Sequence, residues 1–485
     1  FATLFYTKFY NMQQREISID ALRGFAILTM VLSGSIAFGD TLPAWMYHAQ
    51  VPPPLHKFNS SIAGITWVDL VFPFFLFSMG AAMPLALKKY IDANKSFAEI
   101  FKIALKRLIL LTFFALFLQH MKAWVIGNNP ALKEQLFSML GFIVLFFIFY
   151  ENKNTLYKKH FTIVKIVAWL MAILLLYQFP FWNGKGFDLY KSDIIIIVLA
   201  NMAFWGTILY FITANKPYIR LGILPFLMAI FLAAKEPSNS WAKEVFNFNH
   251  IGTVYFDWMY QFYYLKYLFI VIPGTIAGEY LLSSLSKKNQ PTNTAAITII
   301  NKEFFIALIG IALIVLNLYG LFTRQLTFNL IGTAMLCALA IKLVYPLNNE
   351  NAIKKIIYTG SYFLLLGLFF EAYEGGIKKD FSTYSYYFTT SGLGFFCLAT
   401  FSILAKYSKS NYCIKYLALN GKNPMIAYVT GSLVLLPILS ITQTKVYWEA
   451  MNQNVLMGCL KGILFTAIVS LITVWFTKKQ WFWKT

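Results

Sequence analysis

The amino-acid sequence predicts an all-α polytopic membrane protein, a bundle of about 10–14 transmembrane helices. Three observations predict it. Of the 485 residues 59% are hydrophobic, only 13% are charged, and apolar runs long enough to span a bilayer recur along the whole chain. Soluble domains carry about 25% charged residues. Hydropathy places the spans near 19–38, 65–87, 100–119, 135–150, 161–179, 193–213, 219–234, 262–283, 303–320, 326–345, 355–372, 385–405, 423–440 and 455–477, in one transmembrane domain over 1–485. The first apolar run lacks a small-residue cleavage site, so no cleavable signal peptide is expected.

Charge gives the orientation. The net charge of +21 is scattered through short loops and forms no basic patch interleaved with aromatic residues, so the bilayer is the expected partner and nucleic acid is not. Lys88, Lys89, Lys102, Lys106 and Arg107 lie between the second and third spans. Lys153, Lys158, Lys159, Lys287, Lys288, Lys354, Lys355, Lys406, Lys409, Lys415, Lys478 and Lys479 occupy alternate connections after that, while the intervening loops hold fewer, such as Lys122, Lys133, Lys185, Lys378 and Lys379. The positive-inside rule then puts the lysine-rich loops and both termini in the cytosol. His48, His56, His120 and His250 fall on the outer side, His160 on the cytosolic side. Cys337, Cys397, Cys413 and Cys459 show neither paired spacing nor neighbouring histidines, so neither a disulfide framework nor a metal site is expected.

Two outer loops attract attention, 39–63 and 235–261. The first holds "PAWMYHAQVPPPLH", in which Pro52 to Pro54 stiffen a short linker between His48, His56 and the second span. That span opens as "TWVDLVFPFF", with Asp69 inside the apolar run. A carboxylate there either faces a wet cavity or partner, or caps a helix beginning at Leu70. Histidine titrates near neutrality and serves as base or nucleophile, so His48 and His56 are candidate catalytic residues with Asp69.

On the cytosolic side, "REISIDALRG" gives Ser18 as a candidate N-cap, Asp20 in the first turn and Arg15 and Arg23 as flanking guanidinium groups. These anchor the helix or receive phosphates. "LNGKNPMIAYV" places Asn423 and Pro424 as N-cap and first helical residue, with Lys422 beside free backbone amides.

Taken together and in order, "REISIDALRGFAIL", "TWVDLVFPFFLFSMG", "LNGKNPMIAYV" and the tail "WFTKKQWFWKT", with a weaker fifth stretch "FDWMYQFYYLKYLFIVIPGTIAGEYL", resemble the heparan-alpha-glucosaminide N-acetyltransferase family and its bacterial relatives. The resemblance implies a transmembrane N-acetyltransferase, in a bacterial inner membrane, that moves an acetyl group from cytosolic acetyl-CoA to the amine of a glucosamine-type sugar outside. It implies an outer-loop histidine in a His-Ala-x-Trp pattern. His48-Ala49-Gln50 matches its beginning, but no Trp follows, and His56 is nearer the family spacing to the aspartate, so both stay open. Where the family tends to place an Asn at the outer end of the first span, this chain has Ser33-Gly34-Ser35. Beyond a family core of about ten spans, the chain has room for extra helices near 193–234 and 326–372.

On this reading Arg15, Arg23 and Lys422, with Ser18, Asp20 and Asn423 beside them, hold the acetyl-CoA phosphates. The pantetheine arm, on the order of 20 Å long, threads a polar seam between the first, second and thirteenth spans. Asp69 orients His48, while Asp257, Trp258, His250 and Trp45, with Asn247 and Asn249, form a sugar platform. The readings from other classes are a transporter or flippase for an envelope glycan precursor, and an O-acyltransferase of another envelope sugar. A homodimer is compatible with the small-residue helices.

Overall fold

A computed structural model describes residues 16–151, 158–235, 240–287 and 296–485. The long helices are α1 (Ile17–Ser33), α2 (Trp67–Asp92), α3 (Phe97–His120), α4 (Leu132–Phe149), α5 (Lys158–Gln178), α6 (Ile194–Ile212), α7 (Pro217–Ala233) and α8 (Leu268–Lys287). They are followed by α9 (Ala296–Phe322), α10 (Leu326–Val344), α11 (Ala352–Tyr373), α12 (Tyr384–Leu404), α13 (Ser408–Gly421), α14 (Pro424–Ile441) and α15 (Val455–Lys478). One two-stranded hairpin, β1 (His250–Ile251) antiparallel to β2 (Val254–Tyr255), interrupts the long loop before α8.

Among the described residues eleven helices are long and apolar enough to cross a membrane, so the chain is an all-α integral membrane protein. α1 and α7 are shorter, and α3 carries Glu99, Lys102, Lys106 and Arg107 in its first half. Each hydropathy span coincides with one of these helices. The element that hydropathy misses is α13, whose Ile414, Leu417 and Ala418 recur at helical spacing and pack on Ile17 and Ala21 of α1.

α12 sits at the centre, almost wholly buried although it contains Ser385, Tyr386, Tyr387, Thr389, Thr390 and Ser391. Prolines in its neighbours give two of these hydroxyls a partner. Pro73 in α2 has no N–H to offer the carbonyl of Asp69 four residues back, and Tyr386 Oη donates to that oxygen at 2.8 Å. Pro273 does the same to the carbonyl of Phe269 in α8, and Ser391 Oγ donates there at 3.0 Å. With no water in a bilayer core, helices interrupted by proline need such partners from adjoining helices. α2 and α8 also meet backbone to backbone, since a Cβ on Gly80 would stand 2.3 Å from the Val271 carbonyl oxygen. α14 is not a regular helix: a π turn over Gly431–Leu435 precedes Pro437, which lacks a donor for the Leu433 carbonyl.

α7 belongs to the region read as an addition to the family core. It is fastened by Arg220, fully buried, whose Nε donates to Thr213 Oγ1 (2.9 Å), Nη1 to Thr275 Oγ1 (2.8 Å) and Nη2 to Thr213 O (2.9 Å) and Glu279 Oε1 (2.7 Å). The guanidinium also lies over the Tyr210 ring, 4.5 Å from its centroid. Arg220→Ala is expected to destabilise the protein by roughly 3–5 kcal/mol, because the largely buried Glu279 carboxylate loses its cation. Thermal unfolding in detergent measures it.

Candidate functional site

The geometry around Asp69 follows from its position three residues after Thr66, the N-cap of α2. At the third helical position a carboxylate reaches back to the first free N–H groups of the helix. Asp69 Oδ2 accepts from Thr66 N (2.9 Å) and from Ala49 N (3.2 Å), while Thr66 Oγ1 donates to Tyr47 O (2.6 Å). This pins the 39–63 loop onto the helix end. Oδ1 is left for His48, whose Nδ1 lies 2.7 Å away. Oδ2 therefore serves the helix cap and Oδ1 has a partner in His48, although the helix begins at Trp67 rather than Leu70. Asp69 is 2% exposed and the His48 side chain 39%. The tautomer that donates from Nδ1 to the carboxylate leaves the lone pair on Nε2.

A third group comes from the 374–383 loop, between α11 and α12. Glu374 caps α12 by accepting from Tyr384 N (2.9 Å) and Ser385 N (2.8 Å). Gln50 and Asp380 then clasp each other, the Asp380 N–H donating to Gln50 Oε1 (2.7 Å) and Gln50 Nε2 to the Asp380 carbonyl. The clasp brings Lys379 Nζ to 3.2 Å from His48 Nδ1 and 3.3 Å from Nε2. Sequence reasoning counted Lys379 only as one lysine of a lysine-poor side. The available signal was its place just before "STYSYYFTTSG", a polar run too long for a lipid-facing helix.

His56 is not part of this cluster. Its Nε2 lies 2.9 Å from Gly39 O and 3.0 Å from Gly39 N, Nδ1 lies 3.3 Å from Val51 O, and the ring packs edge-on against Tyr47 and Phe38. It braces the loop that carries His48. The expected sugar platform is divided as well. Asp257 accepts from Tyr190 Oη (3.0 Å), which pushes the Tyr190 phenol up, and the Asp257 carbonyl accepts from Gln261. The Tyr190 bond ties the 241–261 segment to the α5–α6 connection. Trp258 is half-buried in that segment, His250 is exposed on β1 with Nδ1 3.0 Å from Asn249 Oδ1, and Trp45 is exposed on the His48 loop.

At the opposite end of α1, Arg23 Nη1 lies 3.4 Å from Asp20 Oδ1 and 3.4 Å from Gly421 O, and Nη2 lies 3.5 Å from Ser78 O. Ser18 is buried in the first turn and donates to Glu16 Oε1 (3.1 Å); Glu16, not Ser18, stands at the cap position. Arg15 lies outside the described residues. A cavity of about 340 Å³ opens beside Arg23, lined by Arg107, Lys422 and Lys484 as further cations. Arg107 Nε is buried with no hydrogen-bond partner among the described residues. The cavity wall follows α2 from Ala86 to Phe72, roughly 20 Å at 1.5 Å per residue. Phe72 is one helical turn from Asp69. The seam lies between α1, α2 and α14, as read from the sequence, joined by α3 and α6. It differs in character from the expected polar passage: away from the cations its walls are Ile27, Met30, Phe75, Met79 and Phe114, apolar as the cost of unpaired polar groups in a bilayer requires. Tyr428 contributes a hydroxyl, which donates to Asp193 Oδ2 at 2.9 Å.

Asn423 holds this end together. It stands at the cap position of α14, but its side chain turns to the C-terminal segment, Nδ2 donating to Trp481 O (2.7 Å) and Oδ1 accepting from Trp483 N (3.3 Å). Lys484 N donates to Phe149 O (2.9 Å), and the Lys484 ammonium beside Glu151 holds that carboxyl below the usual carboxylate range. Among the described residues no group of three or more His, Cys, Asp or Glu side chains is arranged to hold a metal ion.

Residues 15–281 match the model of a family described as a domain of unknown function, DUF5009. The match takes in α1, the His48 loop, Asp69 and Arg107, and leaves Lys379 and Lys422 beyond its end. No curated protein matches the chain.

Proposed function

The chain belongs to the DUF5009 family, and we propose that it is a membrane-embedded acyltransferase, moving an acetyl group from cytosolic acetyl-CoA to the amine of a glucosamine-type sugar on the other side of the bilayer. The observation that carries this reading is the continuity of two features along one helix. The cation-lined cavity follows α2 to Phe72, and one turn further on the same helix holds Asp69 with its bound histidine.

The residues present suit the donor. Arg23, Arg107, Lys422 and Lys484 supply charge-assisted donors for phosphates, and Arg107 has a buried N–H still to be satisfied. The apolar stretch above them accepts a slender chain and excludes water from a thioester. At the other end, Asp69 fixes the imidazole so that Nε2 receives either the amine proton or the acetyl group itself. The lysine-rich loops at the cavity's cationic end support its assignment to the cytosolic side of the membrane.

The direct experiment is thiol release from acetyl-CoA by detergent-purified protein, with and without glucosamine. Release that depends on the amino sugar is expected; folded protein that releases no thiol with any of several amino sugars overturns the reading in favour of transport. Arg107→Gln and Lys422→Gln are each expected to raise the KM for acetyl-CoA by about tenfold or more, as the loss of one charge-assisted hydrogen bond predicts. The KM for the amino sugar should not move, and initial rates over both substrates check this.

A further inference from the structure

We propose that Lys379 is a catalytic residue of the His48 site, the donor that receives the negative charge developing on the acyl oxygen; the inference rests on the acyl-transfer reading. Its ammonium is 3.3 Å from His48 Nε2, the atom at which transfer is centred. A carbonyl carbon presented to Nε2, or to an amine whose proton Nε2 takes, brings its oxygen into the same shell that Lys379 occupies.

The step balances without any further reagent. The nucleophile's electron pair forms the bond to the carbonyl carbon, and the carbonyl π pair moves onto oxygen, where Lys379 donates a hydrogen bond. Where the amine attacks, Nε2 takes its proton; collapse re-forms the carbonyl and breaks the C–S bond, and the departing thiolate takes that proton from Nε2. Where Nε2 itself attacks, collapse breaks the C–S bond and releases the thiolate, the amine then attacks the acetyl carbon, the C–Nε2 bond breaks, and the proton shed by the amine passes through Nε2 to the thiolate. Lys379 keeps its proton throughout. Fixed donors aimed at such an oxygen are usually the largest single contribution to acyl transfer.

The loop is built to hold that ammonium still. The Gln50–Asp380 clasp fixes the residue next to Lys379 to the residue two places from His48, and Glu374 secures the loop's other side on α12. Among the described residues the charged groups at hydrogen-bond distance from the His48 ring are Asp69 from α2 and Lys379 from the 374–383 loop. Lys379 therefore also compensates the buried Asp69 carboxylate across the imidazole.

The test is Lys379→Met, which keeps the length and loses the charge, with Lys379→Arg as the conservative partner. Lys379→Met is expected to lower kcat about 10²–10³-fold with the KM of both substrates within about twofold, and Lys379→Arg to recover part of the loss. A Lys379→Met enzyme within about threefold of the parent, or an Arg variant as slow as the Met variant, overturns the proposal. A parent protein that releases no thiol at all overturns the acyl-transfer reading, and this inference with it.

Discussion

Replacing His48 with alanine is expected to lower amino-sugar-dependent thiol release by about 10²–10⁴-fold, the range that a positioned acid–base group supplies. Folding should be untouched, because the ring is 39% exposed and the fastening of the loop to α2 runs through Ala49 N, Tyr47 O and Thr66. Asp69→Asn is the more discriminating variant. Two backbone N–H groups converge on Oδ2, so the amide keeps its oxygen there and turns its NH₂ toward His48. A donor facing Nδ1 moves the ring proton to Nε2 and removes the lone pair the reaction needs. The expected result is a loss comparable to that of His48→Ala at nearly unchanged stability, whereas Asp69→Ala should also lose the helix cap, at about 1 kcal/mol. An Asp69→Asn protein with near-parental kcat would show that the carboxylate is a helix cap and nothing more. Steady-state rates paired with melting curves separate the cases.

The parts of this site that could be read from the sequence are those carried by local rules. An apolar period gives the helices, a threonine and an aspartate three residues apart give the start of α2, and a proline four residues after Asp69 marks a carbonyl needing another donor. What locality cannot supply is the partner. Tyr386 finds the Asp69 carbonyl across 317 positions of sequence, and Lys379 finds His48 across 331. His56 is nearer than His48 to the histidine-to-aspartate spacing of the acetyltransferases that the sequence resembles, yet spacing says nothing about which backbone its ring nitrogens meet. Asn423 was legible as a helix start because its backbone and Pro424 decide that locally, whereas its side chain's bond to Trp481 depends on where the C-terminal segment docks. The apolar character of the cavity was foreseeable from the same physics that predicted the spans.

Gly24→Val is expected to be the most damaging substitution outside the chemistry. At the crossing of α1 and α13 the two backbones touch: a Cβ on Gly24 would stand 1.9 Å from the Leu417 carbonyl oxygen, and one on Gly421 would stand 1.8 Å from that of Asp20. The obstructing atoms are main chain in both directions, so no rotamer change relieves the clash and the helices have to separate. Overpacking that side chains can absorb costs about 1–3 kcal/mol; backbone displacement exceeds it. The consequence also reaches the cavity. Arg23 directly precedes Gly24 on α1 and its Nη1 approaches Gly421 O, and Lys422 and Asn423 come directly after Gly421, with the docked Trp481 and Trp483 behind them. Gly24→Val should therefore yield little folded protein, and Gly24→Ala should retain the fold with a lowered melting temperature and weakened CoA binding by calorimetry, while His48 and Asp69 at the far end keep their geometry. Gly222→Ala on α7 is the control. Nothing lies within 4 Å of its would-be Cβ, and a glycine replaced inside a helix gains roughly 0.5–1 kcal/mol, so this variant should melt no lower than the parent. If Gly24→Ala behaved like Gly222→Ala, the close crossing of α1 and α13 would not be what holds the cationic end of the cavity in place.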